Sequence, residues 1–206
     1  MKETMPIPSL VADDIGVPRL KGVTDQTGAS VTITAGGADI WGSRDEFHFA
    51  HIDITGDFEL TARICLLEMA DIYTKAGLML RASLEADAPH AMLLTFGDNQ
   101  PRNKNNGALE FQLRREAGGD CFGIYPPQPL AERPDFPATF PNQWLKLTRK
   151  GNVIVGESSK DGKAWKTFCT HAQAFPGMSH LGLAVTSHNR ASLVLATFHD
   201  LSLITA

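Results

Sequence analysis

The sequence predicts an all-β protein, a sandwich or barrel of many short antiparallel strands. Three observations carry this expectation. Apolar and polar residues alternate with a two-residue period in segment after segment. Glycine, proline and turn-forming pairs separate those segments at short intervals. No stretch of useful length carries a helical period, and Leu84 to Ala88 reads as a short turn.

The segments follow in order. Val31-Thr32-Ile33-Thr34 is a short β-branched strand. Between 46 and 54, Phe47, Phe49 and His51 share one parity and Glu46, His48 and Ala50 the other. Phe58, Leu60, Ala62, Ile64 and Leu66 are expected on one face, with Glu59, Thr61, Arg63 and Cys65 opposite. Ala76, Leu78 and Leu80 oppose Lys75, Met79 and Arg81, and Leu109, Phe111 and Leu113 oppose Glu110, Gln112 and Arg114. His90 to Phe96 is almost continuously apolar, as in a strand buried on both faces. Trp144 to Phe168 predicts a three-stranded meander, with hairpin turns at Gly151-Asn152 and Asp161-Gly162. Leu181 to Ser187 and Leu193 to Leu203 complete the set.

Length and composition narrow the function classes. The 206 residues suit a single domain with one buried core. The net charge of -4 gives no basic footprint, which argues against nucleic acid as a partner. No apolar run is long enough for a membrane-spanning helix. Pro6 and Pro8 interrupt the N-terminal segment, which does not resemble a signal peptide. Cys65, Cys121 and Cys169 are odd in number and lack CxxC spacing, so neither a disulfide framework nor a zinc site is expected. A cytoplasmic location follows as the expectation.

Residues 118–143 break the strand rhythm. They hold six of the twelve prolines, Pro126, Pro127, Pro129, Pro134, Pro137 and Pro141, among Phe122, Tyr125, Phe136 and Phe140. Proline at this density cannot supply the donors of a central strand, so this is a loop insertion, either a strap over the sheet or the rim of a site.

Several blocks, in order, carry a family resemblance: GGADIWGSRDEFHF (36–49), GDFELTARI (56–64), KAGLMLRAS (75–83), WLKLTRKGN (144–152), SSKDGKAW (158–165) and LGLAVTSHN (181–189). Together they resemble the DUF1349 family, which includes a yeast protein named for regulation of enolase. The resemblance implies a concanavalin A-like, LamG-type jelly-roll β-sandwich of two antiparallel sheets. Some members are domains of secreted proteins that act on polysaccharides, and others stand alone inside cells. The resemblance supplies no catalytic residues, and residues 118–143 depart from the family's short form.

A jelly roll of this kind can hold sugars on its concave face, through polar side chains whose strand neighbours point into the core. Parity and chemistry nominate His48, Arg63, Lys75, Arg81, Gln112, Arg114 and His188 as ligand-binding residues, with Trp41 and Tyr125 as aromatic platforms. Arginine, lysine and histidine on one face would suit a polyhydroxylated or acidic sugar. Met79 and Cys65 on the polar parity hint that this face is partly covered. Non-catalytic binding of a carbohydrate or glycosylated metabolite is the leading expectation. The alternatives are a protein-interaction regulator of a metabolic enzyme, as the family's yeast member implies, and a polysaccharide lyase or glycoside hydrolase.

The enzyme alternatives have thinner support. Asp45 and Glu46 are adjacent and point to opposite faces, so they cannot flank one glycosidic bond. His48, His188, Arg81 and Lys75 are the lyase candidates. His48 and His51, three apart on a strand, also point apart, and no metal site is expected. No cofactor is implied beyond structural calcium at the loop carboxylates Asp39, Asp98 and Asp200. Cys121, in a loop, is expected to be the accessible thiol.

Overall fold

The computed structural model describes residues 7–97, 109–124 and 142–205. These form fourteen strands: β1 (Val11–Ile15), β2 (Val23–Thr27), β3 (Ser30–Ala35), β4 (Phe47–Thr55), β5 (Phe58–Leu67), β6 (Lys75–Arg81), β7 (His90–Phe96), β8 (Leu109–Arg114), β9 (Phe122–Ile124), β10 (Gln143–Lys150), β11 (Val153–Ser159), β12 (Lys166–Ala172), β13 (Met178–Thr186) and β14 (Val194–Thr205). They build two seven-stranded sheets, ordered β1-β4-β13-β6-β7-β8-β9 and β12-β11-β10-β5-β14-β3-β2. Every assigned pairing is antiparallel. Among the described residues no helix is long and apolar enough to cross a membrane.

The alternation in the sequence places the main core. Leu78, Leu80, Leu93, Phe111, Leu183 and Val185 of the first sheet meet Leu60, Ile64, Leu145, Leu147 and Phe198 of the second. One parity expectation fails within β5. The pairing with β14 skips Cys65, joining Thr197 to Leu66 but Phe198 to Ile64. The extra residue flips the last positions, so Leu66 is exposed and Leu67 takes the core place. The Gly151-Asn152 hairpin forms with a two-residue loop between β10 and β11. The turn expected at Asp161-Gly162 is instead a longer loop, residues 160–165. The Asp161 carboxylate closes it by accepting the N–H groups of Lys163 and Ala164, both at 2.9 Å.

The outer face of the first sheet is not an ordinary solvated face. Its β6, β7 and β8 positions include Met79, Met92, Leu94 and Phe96, which join Phe47, Phe49, Ala184, Ile15, Ile40 and Ala86 in a second apolar cluster. Burying each phenylalanine there is worth roughly 2 kcal/mol. The connections 36–46 and 82–89 cover this layer. Gly37 starts the first connection at φ +119°, and a Cβ there would lie 2.0 Å from the Glu46 carbonyl oxygen, so glycine is required.

An ion cluster ties this cover to the sheet. The carboxylate of Asp45, 1% exposed, accepts Arg114 Nη2 at 2.6 Å and Nη1 at 2.7 Å, and Arg81 Nη1 at 2.7 Å. Spare guanidinium hydrogens go to the carbonyls of Glu85, Gly42 and Gly119. Burial pushes the Asp45 carboxyl up, but the Arg114 hydrogen bonds and the adjacent positive charges outweigh it, and its pKa is lowered. His90, fully buried beside them, is driven by burial down to a pKa of about 3 and adds no third positive charge.

One expectation about reactivity is corrected here. Cys121 is buried, its Sγ 3.7 Å from His90 Nε2, and burial pushes its thiol up to about 12. Cys65, at the bulge, is the more exposed thiol. Proline residues 126–141, with Tyr125, Phe136 and Phe140, lie outside the described residues, as does the question of strap or rim.

Asp45→Ala strands two buried guanidinium groups, and urea unfolding is expected to register a loss of about 3–5 kcal/mol. Acid gives a second prediction. Between pH 6.5 and about 3 the unfolded chain carries a proton on His90 that the folded chain lacks, so stability falls as pH drops through that window. Asp45, depressed in the fold, adds to the loss below 3.8. His90→Gln is expected to flatten the slope of stability between pH 6.5 and 4.

Candidate functional site

At one end of the covered face a cavity of about 340 Å³ stays open. Asp39, Trp41, Tyr73, Lys75, Phe96, Glu110, Gln112 and His188 line it. The sheet supplies the floor through register. Lys75 opens β6 and pairs with Phe96 at the end of β7. Leu94, two residues before Phe96, pairs with Glu110, and Met92 pairs with Gln112. All of these side chains stand on the outer parity. The connection 36–46 brings Asp39 and Trp41 over the floor, and the connection before β6 brings Tyr73. His188, just beyond β13, adopts φ +52°. A histidine tolerates that left-handed conformation better than most residues, and the Ser187 hydroxyl fixes the bend, its one hydrogen directed to the Asn189 carbonyl at 2.8 Å with the Gly37 carbonyl 3.3 Å away.

A charged chain runs along one wall. Lys75 Nζ lies 2.7 Å from Asp39 Oδ1, and His188 Nε2 lies 3.2 Å from Asp39 Oδ2. His188 Nδ1 approaches Asp71 Oδ1 at 3.1 Å without the alignment of a hydrogen bond. The bond to Asp39 raises the His188 pKa above 6.5 against the opposing pull of burial. Burial raises the Asp39 carboxyl, but His188 and Lys75 overcome it and hold it below 3.8. The Lys75 ammonium also sits 5.9 Å from the Trp41 ring centre and 5.7 Å from that of Phe96. On the floor, Gln112 Nε2 donates to Glu110 Oε1 at 2.8 Å, while Gln112 Oε1 is buried with no hydrogen-bond partner among the described residues. Trp41 and Tyr73 are 39% and 41% exposed, leaving ring surface available at the mouth.

The structure brings together Trp41, Lys75, Gln112 and His188 of the sequence-nominated residues, and places His48, Arg63, Arg81 and Arg114 elsewhere. Arg81 and Arg114 share the correct face, but they are fully buried on Asp45 and do not reach the cavity. His48 points between the sheets, not outward, where Asp14 and the Thr24 hydroxyl each bond its ring at 2.8 Å. Arg63 belongs to the second sheet, on the opposite outer face, held by Asp200 at 2.6 Å and stacked 5.6 Å from Trp144. Pooling Glu59, Thr61 and Arg63 with Lys75 is therefore corrected, because two sheets each have a polar parity facing away from one core. Tyr125 lies outside the described residues. Trp144 and Trp165 pack edge to face beside Arg63, away from the cavity. Of the calcium candidates, Asp39 lies in the connection over the first sheet and Asp200 in β14 of the second, and each holds a cationic side chain, while Asp98 lies outside the described residues.

Sequence reasoning missed Phe96, Glu110 and Tyr73 as lining residues. Signals for two of them exist: Tyr73 precedes Lys75 by two residues on the same parity, and Glu110 precedes Gln112 likewise.

With this geometry established, comparison with known proteins adds the class of fold. No family model matches the sequence, and no curated protein sequence matches it. The structure resembles a functionally unknown protein from Saccharomyces cerevisiae at 19% identity and TM-score 0.68, over 95% of this chain and 96% of the other. It resembles the carbohydrate-binding module CBM66 from Bacillus subtilis at 12% identity and TM-score 0.57, over 96% and 97%. A lectin, UEA-II, solved in complex with galactose, aligns at 6% identity and TM-score 0.51, over 98% and 95%. At such identities the likeness defines the fold alone: the chain is a concanavalin A-like jelly-roll β-sandwich, an architecture it shares with carbohydrate-binding modules and lectins.

The His188–Asp39 contact predicts a titration that NMR can follow. The His188 imidazole is expected to titrate above 6.5 and to move back toward 6.5 in Asp39→Asn. Because the folded value is raised, the contact stabilises the fold below pH 6.5, and that stabilisation is lost as pH rises through the folded value.

Proposed function

We propose that this chain is a non-catalytic binding protein that holds a carbohydrate or glycosylated metabolite in the cavity between Trp41, Tyr73 and Gln112. One observation carries the reading: a single cavity combines half-exposed aromatic rings at its mouth with a buried amide oxygen at its floor that has no partner among the described residues. Aromatic faces stack on the C–H faces of a sugar ring, and a fixed acceptor takes a hydroxyl hydrogen without reorganising. The volume, about 340 Å³, lies at the small end of the ~300–1,000 Å³ range of small-molecule pockets and suits one or two sugar rings. The shared fold of carbohydrate-binding modules and lectins supports the reading, as does the family that the sequence blocks resemble.

The charges favour a neutral sugar over a uronate. Among the described residues, the cavity's cations already have carboxylate partners: Lys75 has Asp39, and His188 has Asp39 and Asp71. The two arginines that would clamp a uronate are committed to Asp45. Asp39 and Glu110 present acceptors to hydroxyl groups and repel an added carboxylate.

A screen of neutral and uronic mono- and oligosaccharides by thermal shift and calorimetry tests this. Neutral sugars are expected to bind, and Trp41→Ala or Gln112→Ala to weaken binding about tenfold, the scale of one lost stacking or buried hydrogen-bond contact. The bound sugar is expected to be recovered unchanged. Binding that survives both substitutions, or appearance of a cleaved or unsaturated product, contradicts the reading.

A second reading has its own observation. Among the described residues β1 and β2 each end their sheet, and Val11, Val17 and Val23, in these strands and the connection between them, are exposed. An interaction role with a metabolic enzyme would use this side of the sandwich. Loss of partner capture in Val11→Lys and Val23→Lys, with sugar binding intact, would favour it.

A further inference from the structure

On the same outer face, toward the β1 edge, His51, Asp53 and His180 converge. His180 and Asp53 are direct partners across β13 and β4, and His51 stands two residues before Asp53 on the same side. One donor atom from each of the three lies within 4.8 Å of the others. None of the three lines the sugar cavity.

The three donor atoms stand close enough to reach one ion. His180 Nδ1 is buried and 2.9 Å from Asp53 Oδ1, yet the pair lacks hydrogen-bond alignment. At 2.9 Å they stand slightly closer than the roughly 3.0–3.4 Å of two ligand atoms each about 2.1 Å from one metal, so an ion would spread them by a few tenths of an ångström. The imidazole rings of His51 and His180 lie 5.1 Å apart between centres at 83°. Two imidazoles on a tetrahedral ion would have ring centres about 5 Å apart. His51, 3% exposed, provides the independent sign. Its Nε2 is 3.0 Å from Asp13 Oδ2, while its Nδ1 is buried with no hydrogen-bond partner among the described residues. A carboxylate on one ring nitrogen fixes the tautomer and leaves the other nitrogen a bare lone pair, the arrangement that orients metal-bound histidines.

We propose that His51, His180 and Asp53 bind a divalent first-row transition ion of the zinc type, with Asp13 orienting His51. Two imidazoles and one carboxylate suit zinc better than calcium, which takes oxygen ligands. Asp53 is 63% exposed in its side chain, so the ion has a way in and its remaining coordination positions face water. Arg81, the cross-strand neighbour of His180, opposes a cation, but its charge is directed to Asp45, and Asp13 and Asp53 supply two negative charges.

Chelator-treated protein titrated with Zn²⁺ by calorimetry, and with Co²⁺ by visible absorption, tests the site. One ion per chain is expected, with the intensified Co²⁺ bands of a low-coordinate site. His180→Ala and Asp53→Asn are each expected to weaken binding at least about tenfold, and Asp13→Asn by about 10–100-fold. Absence of saturable binding, or unchanged binding in the His180→Ala/Asp53→Asn double variant, overturns the proposal. Should the variants fail to fold, the imidazole ¹⁵N resonances of the unaltered protein decide: large shifts at His51 and His180 on adding Zn²⁺ support the site, and unmoved resonances overturn it.

Discussion

The bidentate grip of Arg114 on Asp45, shared with Arg81, is the contact on which the rest of the outer face depends. A sandwich sheet ordinarily has one buried and one wet face. Here both faces of the first sheet's centre are buried, and the covering connection 36–46 needs an anchor. Asp45 supplies it by bringing a charge down onto two strand arginines that would otherwise stand unpaired under apolar residues. A lone buried carboxylate would cost several kcal/mol; two guanidinium groups and several backbone carbonyls offset that cost. With the cover fixed, Ile40 seals the middle of the face, and Asp39 and Trp41 become the wall of a cavity instead of a loose loop.

The same device explains why the cavity's chemistry is neutral in character. The strongest cations on the face are used for structure. The remaining ones, Lys75 and His188, are joined to Asp39 in a chain that holds the wall in place. What is left for a ligand is aromatic surface and hydrogen-bonding oxygen, the pair of features that a sugar ring presents in complement.

Much of the fold was legible in the sequence because period-two alternation is a direct imprint of a two-sided strand. Leu78 and Leu80, Phe111 and Leu113, and Leu145 and Leu147 all fall where parity places them. The continuous apolar run at β7 correctly signalled burial on both faces. The site was half legible. Parity gives the side of a strand but not the sheet it joins, so Arg63 was pooled with Lys75 across the whole thickness of the sandwich. It also cannot by itself tell an exposed polar face from one lying under a connection; Met79 and the apolar run of β7 beside it are the local hints that Arg81 and Arg114 are buried. His48 escaped because its partners, Asp14 and Thr24, belong to two N-terminal strands whose polar sequences carry little signal. The convergence of His51 with His180 depends on the register of β4 against β13, which no local pattern encodes.

The most direct test of the cavity as the binding site is an NMR map of the chain titrated with a neutral oligosaccharide. The account predicts that the Trp41 indole N–H and the Gln112 side-chain amide shift most, with neighbouring shifts at Tyr73 and His188. Shifts centred instead on Trp144, Trp165 and Arg63, on the outer face of the other sheet, would contradict it.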